Sequence, residues 1–208
     1  MYEELSAERR FEMFKGTRIL VLDIETTGLG KQASIIELGL IELINGEVVR
    51  DGTTLFGGGS SEEKALECHG ITDEERIGKL TFAEQAPNFK KIIETVKKDD
   101  KERDLKTVIV GHNVIRFDIP KLFENCRLAG APIVLPSGKI LVCDTLPCSK
   151  KHLASPNHKL ETLCSVYGVE HGKHRGLGDS YSSLEILCVI MEKANISHVS
   201  QICERKAI

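Results

Sequence analysis

The chain has 208 residues, a net charge of −3 and 28% charged residues, which is enough for one domain with a sizeable core and a short appendage. No apolar run approaches the ~20 residues that cross a bilayer as a helix. Residues 1–15 mix acids with bases and lack the apolar core of a signal peptide, so an intracellular protein, cytoplasmic or nuclear and with no membrane partner, is expected. The slightly acidic balance argues against a surface that grips long duplexes by overall phosphate neutralisation.

Residues 1–16 read as a leader with helical character from Leu5 to Phe14. Arg18 to Ile24 is a strand, apolar on both faces and therefore central in a sheet. Thr26 to Gln32 forms a loop, and a second strand runs from Ser34 to Ile44. Asn45-Gly46 is a two-residue hairpin signal, so the strand from Glu47 to Phe56 returns antiparallel. Gly57-Gly58-Gly59 lacks the Gly-Lys-Ser/Thr ending of a phosphate-binding loop. A short helix covers Glu62 to Cys68, closed by His69-Gly70.

Thr81-x-x-Glu84 forms a capping box for the next helix, with Phe89, Ile92, Ile93 and Val96 on one face. Pro87 weakens its opening turns and suggests that the regular part begins there. Lys97 to Lys106 is a charged turn, and Thr107 to Gly111 a short buried strand. A helix with Pro120 in its first turn follows Asp118 and continues through Leu122, Phe123, Cys126 and Leu128. Ile140 to Cys143 is a fifth strand, Lys159 to Tyr167 a helix ending at Gly168, and Gly178 to Ala194 the last long helix. Three strands followed by helices alternating with two more strands give an α/β sandwich around a mixed sheet. Residues 197–208 are left as a tail.

The seven cysteines, scattered and without a C-x-x-C pair, read as reduced residues, several of them in the core. Lys150, Lys151, His152, His158, Lys159, His171, Lys173, His174 and Arg175 form a basic stretch opposed only by Glu161 and Glu170. It is either a solvated loop pair or a rim that guides a polyanion.

Four acids stand out by position. Asp23 and Glu25 lie two residues apart, so on a strand both project from one face. Like charges about 4 Å apart repel by roughly 4 kcal/mol at an effective dielectric of 20, so the pair calls for a shared proton, a basic partner or a divalent cation. Asp118 and Asp179 each open a helix, where an N-cap role competes with a functional one. Glu37 is either a second acid behind the site or an exposed strand residue.

Leu22-Asp23-Ile24-Glu25-Thr26-Thr27-Gly28-Leu29 resembles the first motif of the DEDDh (DnaQ-like) 3′–5′ exonucleases. Gly111-His112-Asn113-Val114-Ile115-Arg116-Phe117-Asp118 is similar to the second, and His174-Arg175-Gly176-Leu177-Gly178-Asp179 to the third. Cys68-His69-Gly70-Ile71-Thr72 is similar to an element of the bacterial proofreading subunits, whereas Arg116-Phe117-Asp118-Ile119-Pro120 looks more like the three-prime repair exonucleases of animals.

The resemblance implies an RNase H-like fold: a mixed five-stranded sheet, made of a three-stranded antiparallel meander plus two parallel strands, with helices on both faces. It makes residues 17–196 the exonuclease domain. It implies two Mg²⁺ or Mn²⁺ ions held by Asp23, Glu25, Asp118 and Asp179, with His174 as general base. An imidazole suits proton removal at neutral pH. Gly176 and Gly178 would then give the His174 loop freedom to move. Thr26, Gly28 and Leu29 would receive the terminal nucleotide; His69 and Asn113 either touch substrate or make structural hydrogen bonds. Phe117 reads as core.

The implied substrate is the 3′ end of single-stranded DNA or RNA, with single-stranded DNA favoured and an RNA-trimming exoribonuclease as an alternative. An RNase-H-like endonuclease and a proofreading or accessory subunit working with a polymerase in trans are the competing functions. A homodimer follows from the resemblance alone.

Overall fold

The computed structural model describes residues 6–30, 32–135 and 140–204. Residues 1–5 of the leader, Lys31 of the first loop and residues 205–208 of the tail lie outside the described residues. Five strands form one sheet in the order β3-β2-β1-β4-β5. Strands β1 (Thr17–Thr26), β2 (Ile35–Ile44) and β3 (Glu47–Leu55) make the antiparallel meander. Strands β4 (Lys106–Gly111) and β5 (Ile140–Asp144) add in parallel beyond β1. Asn45 and Gly46 both take positive φ, as a tight Asn-Gly hairpin requires.

Seven helices are described: α1 (Ala7–Phe14), α2 (Glu63–His69), α3 (Phe82–Glu94), α4 (Asp118–Leu128), α5 (Thr145–His152), α6 (Leu160–Tyr167) and α7 (Gly176–Lys193). The period of two along β1 decides what each face meets. Leu20, Leu22 and Ile24 join the core beneath α3 and α4. Ile19 and Val21 join the opposite core, under α7, which also buries Met13 and Phe14 of α1. The sheet and its two helical layers are those expected from the sequence.

Helices α3, α7 and α5 add detail to the expectation. Helix α3 starts at Phe82, directly after the expected Thr81/Glu84 capping box, and is regular from there rather than from Pro87, with Phe82 stacked on Phe89, 5.8 Å between ring centroids. Helix α7 starts at Gly176 rather than Gly178. Helix α5 occupies part of what read as a basic loop. Asp144 caps it by accepting from the Leu146 N–H (3.0 Å), and Pro147 falls in the first turn, where a missing N–H costs nothing.

One charge in the core has no sequence signature. Arg18 is 1% exposed; its Nε donates to Glu42 Oε1 at 2.6 Å, and its two terminal nitrogens close the end of α3 on the Thr95 and Ile92 carbonyls. Glu42 also accepts from Arg50 at 2.7 Å. These partners pull the Glu42 carboxyl below its usual range against the opposing effect of burial. Glu42→Ala strands a buried guanidinium and is expected to cost about 3–5 kcal/mol in urea unfolding. A loss under about 1 kcal/mol would show the pair to be dispensable.

Candidate active site

The site grows out of the end of β1. Asp23 and Glu25 continue the Ile19–Val21 face, so both carboxylates point to the α7 side of the sheet. A register shift at Glu25/Thr26 bends the strand there. Gly39 lies opposite Asp23 on β2, and a side chain at Gly39 would collide with the backbone of Gly176. The missing side chain lets α7 begin directly on the sheet, and its first turn delivers Asp179.

Asp118 arrives from the opposite layer. Its Oδ1 accepts the Ile24 N–H at 3.0 Å, so one carboxylate oxygen serves the β1 backbone. Ligand atoms of Glu25, His174 and Asp179 all lie within 4.8 Å of one another. His174 Nδ1 is 3.9 Å from Asp179 Oδ2, and His171 Nε2 is 3.5 Å from Asp179 Oδ1. The two imidazoles meet edge to face at 5.4 Å.

Burial pushes the Asp23 carboxyl well above the usual range, and Asp118, Glu25 and Asp179 push it further. Burial, with Asp179 and Glu37, raises Glu25 to about 8. Burial raises Asp118 to about 7 against the opposing Ile24 hydrogen bond. Asp179 is raised by burial, less strongly because His171 and His174 oppose it. Asp23 Oδ2 and Asp179 Oδ1 are buried without a hydrogen-bond partner. Hard oxygens in a crowded acidic cluster, two of them orphaned, fit divalent cations of the Mg²⁺ or Mn²⁺ type.

These shifts set a pH dependence. A carboxyl whose folded pKa exceeds its unfolded value stabilises the fold fully at low pH, and that contribution is lost as pH rises through the folded value. The metal-free protein is therefore expected to melt at a higher temperature near pH 5.5 than near pH 8. Added Mn²⁺ should raise the melting temperature more at pH 8 than at pH 5.5. Differential scanning fluorimetry in chelator checks this; a flat metal-free profile would contradict the crowding of charge.

The other residues singled out in the sequence are placed as follows. Thr26 is buried and its hydroxyl donates to the Gly28 carbonyl at 2.7 Å. Gly28 lies under the Glu62 carboxylate, while Leu29 stands 82% exposed. His69 is buried; its Nδ1 accepts the Ile71 N–H at 2.9 Å and its Nε2 has no hydrogen-bond partner. Burial lowers the His69 pKa, while the Thr26 backbone and the Glu37 charge raise it, which sets His69 beside the turn after β1. Asn113 takes a left-handed φ of 66° and is held by Asp144 through its own N–H at 2.8 Å. Phe117 packs, partly buried, against the α4-side core.

Gly176 and Gly178 belong to α7 rather than to the loop that carries His174. Both lie in the first turn of α7, Gly176 against Gly39 and Gly178 against Gly172, where their lack of a side chain permits close backbone approach. In the basic stretch, His112 Nε2 donates to the His158 carbonyl at 2.9 Å, which ties that loop to the end of β4.

Sequence reasoning passed over Asp144, whose carboxylate accepts from the N–H groups of Asn113, Ile115 and Leu146 and thereby shapes the turn leading to Asp118. The available signal was an acid at a strand end, directly before a helix. It also left Glu37 undecided; Glu37 is fully buried, and its carboxylate reaches Arg175 and Gly176.

The exonuclease family RNase_T matches residues 20–187 of the chain. DNA polymerase III subunit epsilon of Escherichia coli is 26% identical over 183 residues, covering 82% of this chain and 70% of that protein. DNA polymerase III PolC-type of Thermotoga petrophila is 27% identical over 195 residues, 91% of this chain but 13% of that one. Among solved structures, E. coli Exonuclease I in complex with a dT13 oligonucleotide superposes with a TM-score of 0.73 at 18% identity, over 86% of this chain. The chain spans 42% of that molecule, and the likeness is one of fold.

Proposed function

Because the chain belongs to the RNase_T exonuclease family, we propose that it is a DEDDh-type 3′–5′ exonuclease. It hydrolyses the terminal phosphodiester of nucleic acid, single-stranded DNA foremost, and releases nucleoside 5′-monophosphates. The observation that carries this reading is the meeting of Glu25, Asp179 and His174 at the end of β1, beside Asp23 and Asp118, with carboxylate oxygens left unpartnered. Asp23, Glu25, Asp118 and Asp179 would hold two Mg²⁺ or Mn²⁺ ions. Such ions supply charge neutralisation at the phosphodiester and at the departing oxygen.

The chain's own residues do the rest. The His174 side chain, 45% exposed, takes the proton of the attacking water and can return it to solvent. The water oxygen bonds to the terminal phosphorus as the bond from that phosphorus to the 3′-oxygen of the preceding nucleotide breaks, and the departing oxygen takes a proton from solvent. Leu29 offers its exposed side chain to the bases at the strand end. Thr26 and Gly28 shape the turn that receives the terminal sugar, and His69, beside that turn, offers its Nε2 to a substrate oxygen. Asn113, on a turn fixed by Asp144, flanks the same strand.

Residues 17–196 are the working unit, with the flanks packed on its α7 side. Support for single-stranded DNA comes from the oligonucleotide complexes of Exonuclease I. Support for action beside a polymerase comes from the epsilon subunit and the PolC-type relative. Among the described residues no helix is long and apolar enough to cross a membrane. By resemblance to related exonucleases, two copies of the chain pair as a homodimer.

Purified protein is expected to shorten a single strand from its 3′ end with Mg²⁺ or Mn²⁺ and to stop in chelator. Parallel digestion of single-stranded DNA, duplex DNA and RNA decides the substrate. Release of internal fragments would favour an endonuclease instead.

A further inference from the structure

Glu37 is a carboxylate outside the ion-holding set, and it is 0% exposed. It sits on β2 opposite Glu25. Its Oε2 accepts the Gly176 N–H at 2.7 Å, and its Oε1 accepts from Arg175 Nε at 3.2 Å. Gly176 is the first residue of α7, and Arg175 at the N-cap position supplies no side-chain cap. Glu37 therefore satisfies the first N–H of α7 from β2, and it brings negative charge to the positive end of the helix dipole.

This junction separates the two residues whose mutual placement matters most. His174 lies just before it and Asp179 in the helical turn just after it. Lys173 and His174 both hold φ of 57°, a left-handed conformation that side chains other than glycine adopt at a cost. A segment of that kind keeps its shape only if its ends are fixed. The contact of Gly176 on Gly39 fixes its height above the sheet, and the Glu37 carboxylate fixes the direction in which the chain leaves.

We propose that Glu37 is a positioning residue: by clamping the Arg175–Gly176 junction it sets the His174 imidazole against Glu25 and Asp179. The proposal rests on the reading of His174 as general base. It differs from a purely structural ion pair in one respect: its effect on turnover must vanish when His174 is absent.

The test compares wild type with Glu37→Ala, Glu37→Gln, His174→Ala and the Glu37→Ala/His174→Ala double variant, by kcat, KM and melting temperature. Glu37→Ala is expected to lower kcat by about tenfold to a hundredfold with KM within about twofold, as for other residues that orient a functional group. Glu37→Gln keeps one acceptor oxygen for the Gly176 N–H and should lose less. On the His174→Ala background, Glu37→Ala should subtract no more than about twofold, since a misplaced base and a missing base are equivalent. Multiplicative losses, or wild-type kcat in folded Glu37→Ala, overturn the proposal while leaving the base assignment standing. If Glu37→Ala does not fold, Glu37→Gln and its double with His174→Ala carry the same comparison, and unchanged kcat in Glu37→Gln overturns it. Full activity in His174→Ala alone would overturn the base and the positioning role together.

Discussion

Asp23→Asn is expected to reduce 3′ nucleotide release at least about a hundredfold while raising the melting temperature of the metal-free protein. Asp23 is where the strain of the site concentrates. Its Oδ2 is buried without a partner, and its carboxyl is raised by burial and by Asp118, Glu25 and Asp179 together. An amide of the same shape removes one unfavourable ionisation and adds donors beside neighbouring carboxylates. Each kcal/mol relieved should appear as about 2–4 °C in a chain of this size. The same amide lacks the negative oxygens that hold a hard cation.

Opposite signs for activity and metal-free stability are characteristic of a group kept for function against the interest of the fold. Melting in chelator at pH 8, alongside single-strand digestion in Mn²⁺, gives both numbers. A destabilised Asp23→Asn would mean that Asp23 is a structural acid whose partners lie elsewhere.

The fold was legible because its signals are local. Alternation along Arg18–Ile24, the Asn45-Gly46 turn and the Thr81/Glu84 box each act within a few residues, and the structure forms all three. Helix α5 was not legible: it is eight residues long, carries a proline, and owes its start to Asp144. The acids of the site could be picked out because Asp23 and Glu25 share one strand face and because the three motifs have recognisable spacings.

Their supports could not be read in the same way. Arg18, Glu37 and Asp144 are charges in or beside apolar strands whose partners come from distant segments, 139 residues away for the Glu37–Gly176 hydrogen bond. For Arg18 and Glu37 nothing local distinguishes the group from a solvent-facing strand residue; Asp144 offers only its place at a strand end before a helix. Only the assembled sheet shows which backbone N–H groups they serve. Gly176 and Gly178 carry the same lesson. A glycine near a mobile-looking loop suggests a hinge, and the assembled fold adds that the absent side chain serves the packing of α7 on β2 and on Gly172.

His174→Ala is expected to lower kcat by about 10²–10⁴, whereas His171→Ala should cost at most about tenfold. Two imidazoles surround Asp179, and their hydrogen bonds separate their roles. His171 Nδ1 accepts the Lys173 N–H at 3.1 Å, so the proton of the neutral ring sits on Nε2, facing Asp179 Oδ1. A ring in that tautomer has no free lone pair for water, and its side chain is only 17% exposed. His174 turns Nδ1 toward Asp179 at 3.9 Å and stands half-exposed, which leaves its far nitrogen free to accept a proton. Steady-state rates on a single-stranded substrate with saturating Mn²⁺ separate the two variants. The reverse order of losses would transfer the base to His171 and require its ring to give up the Lys173 hydrogen bond.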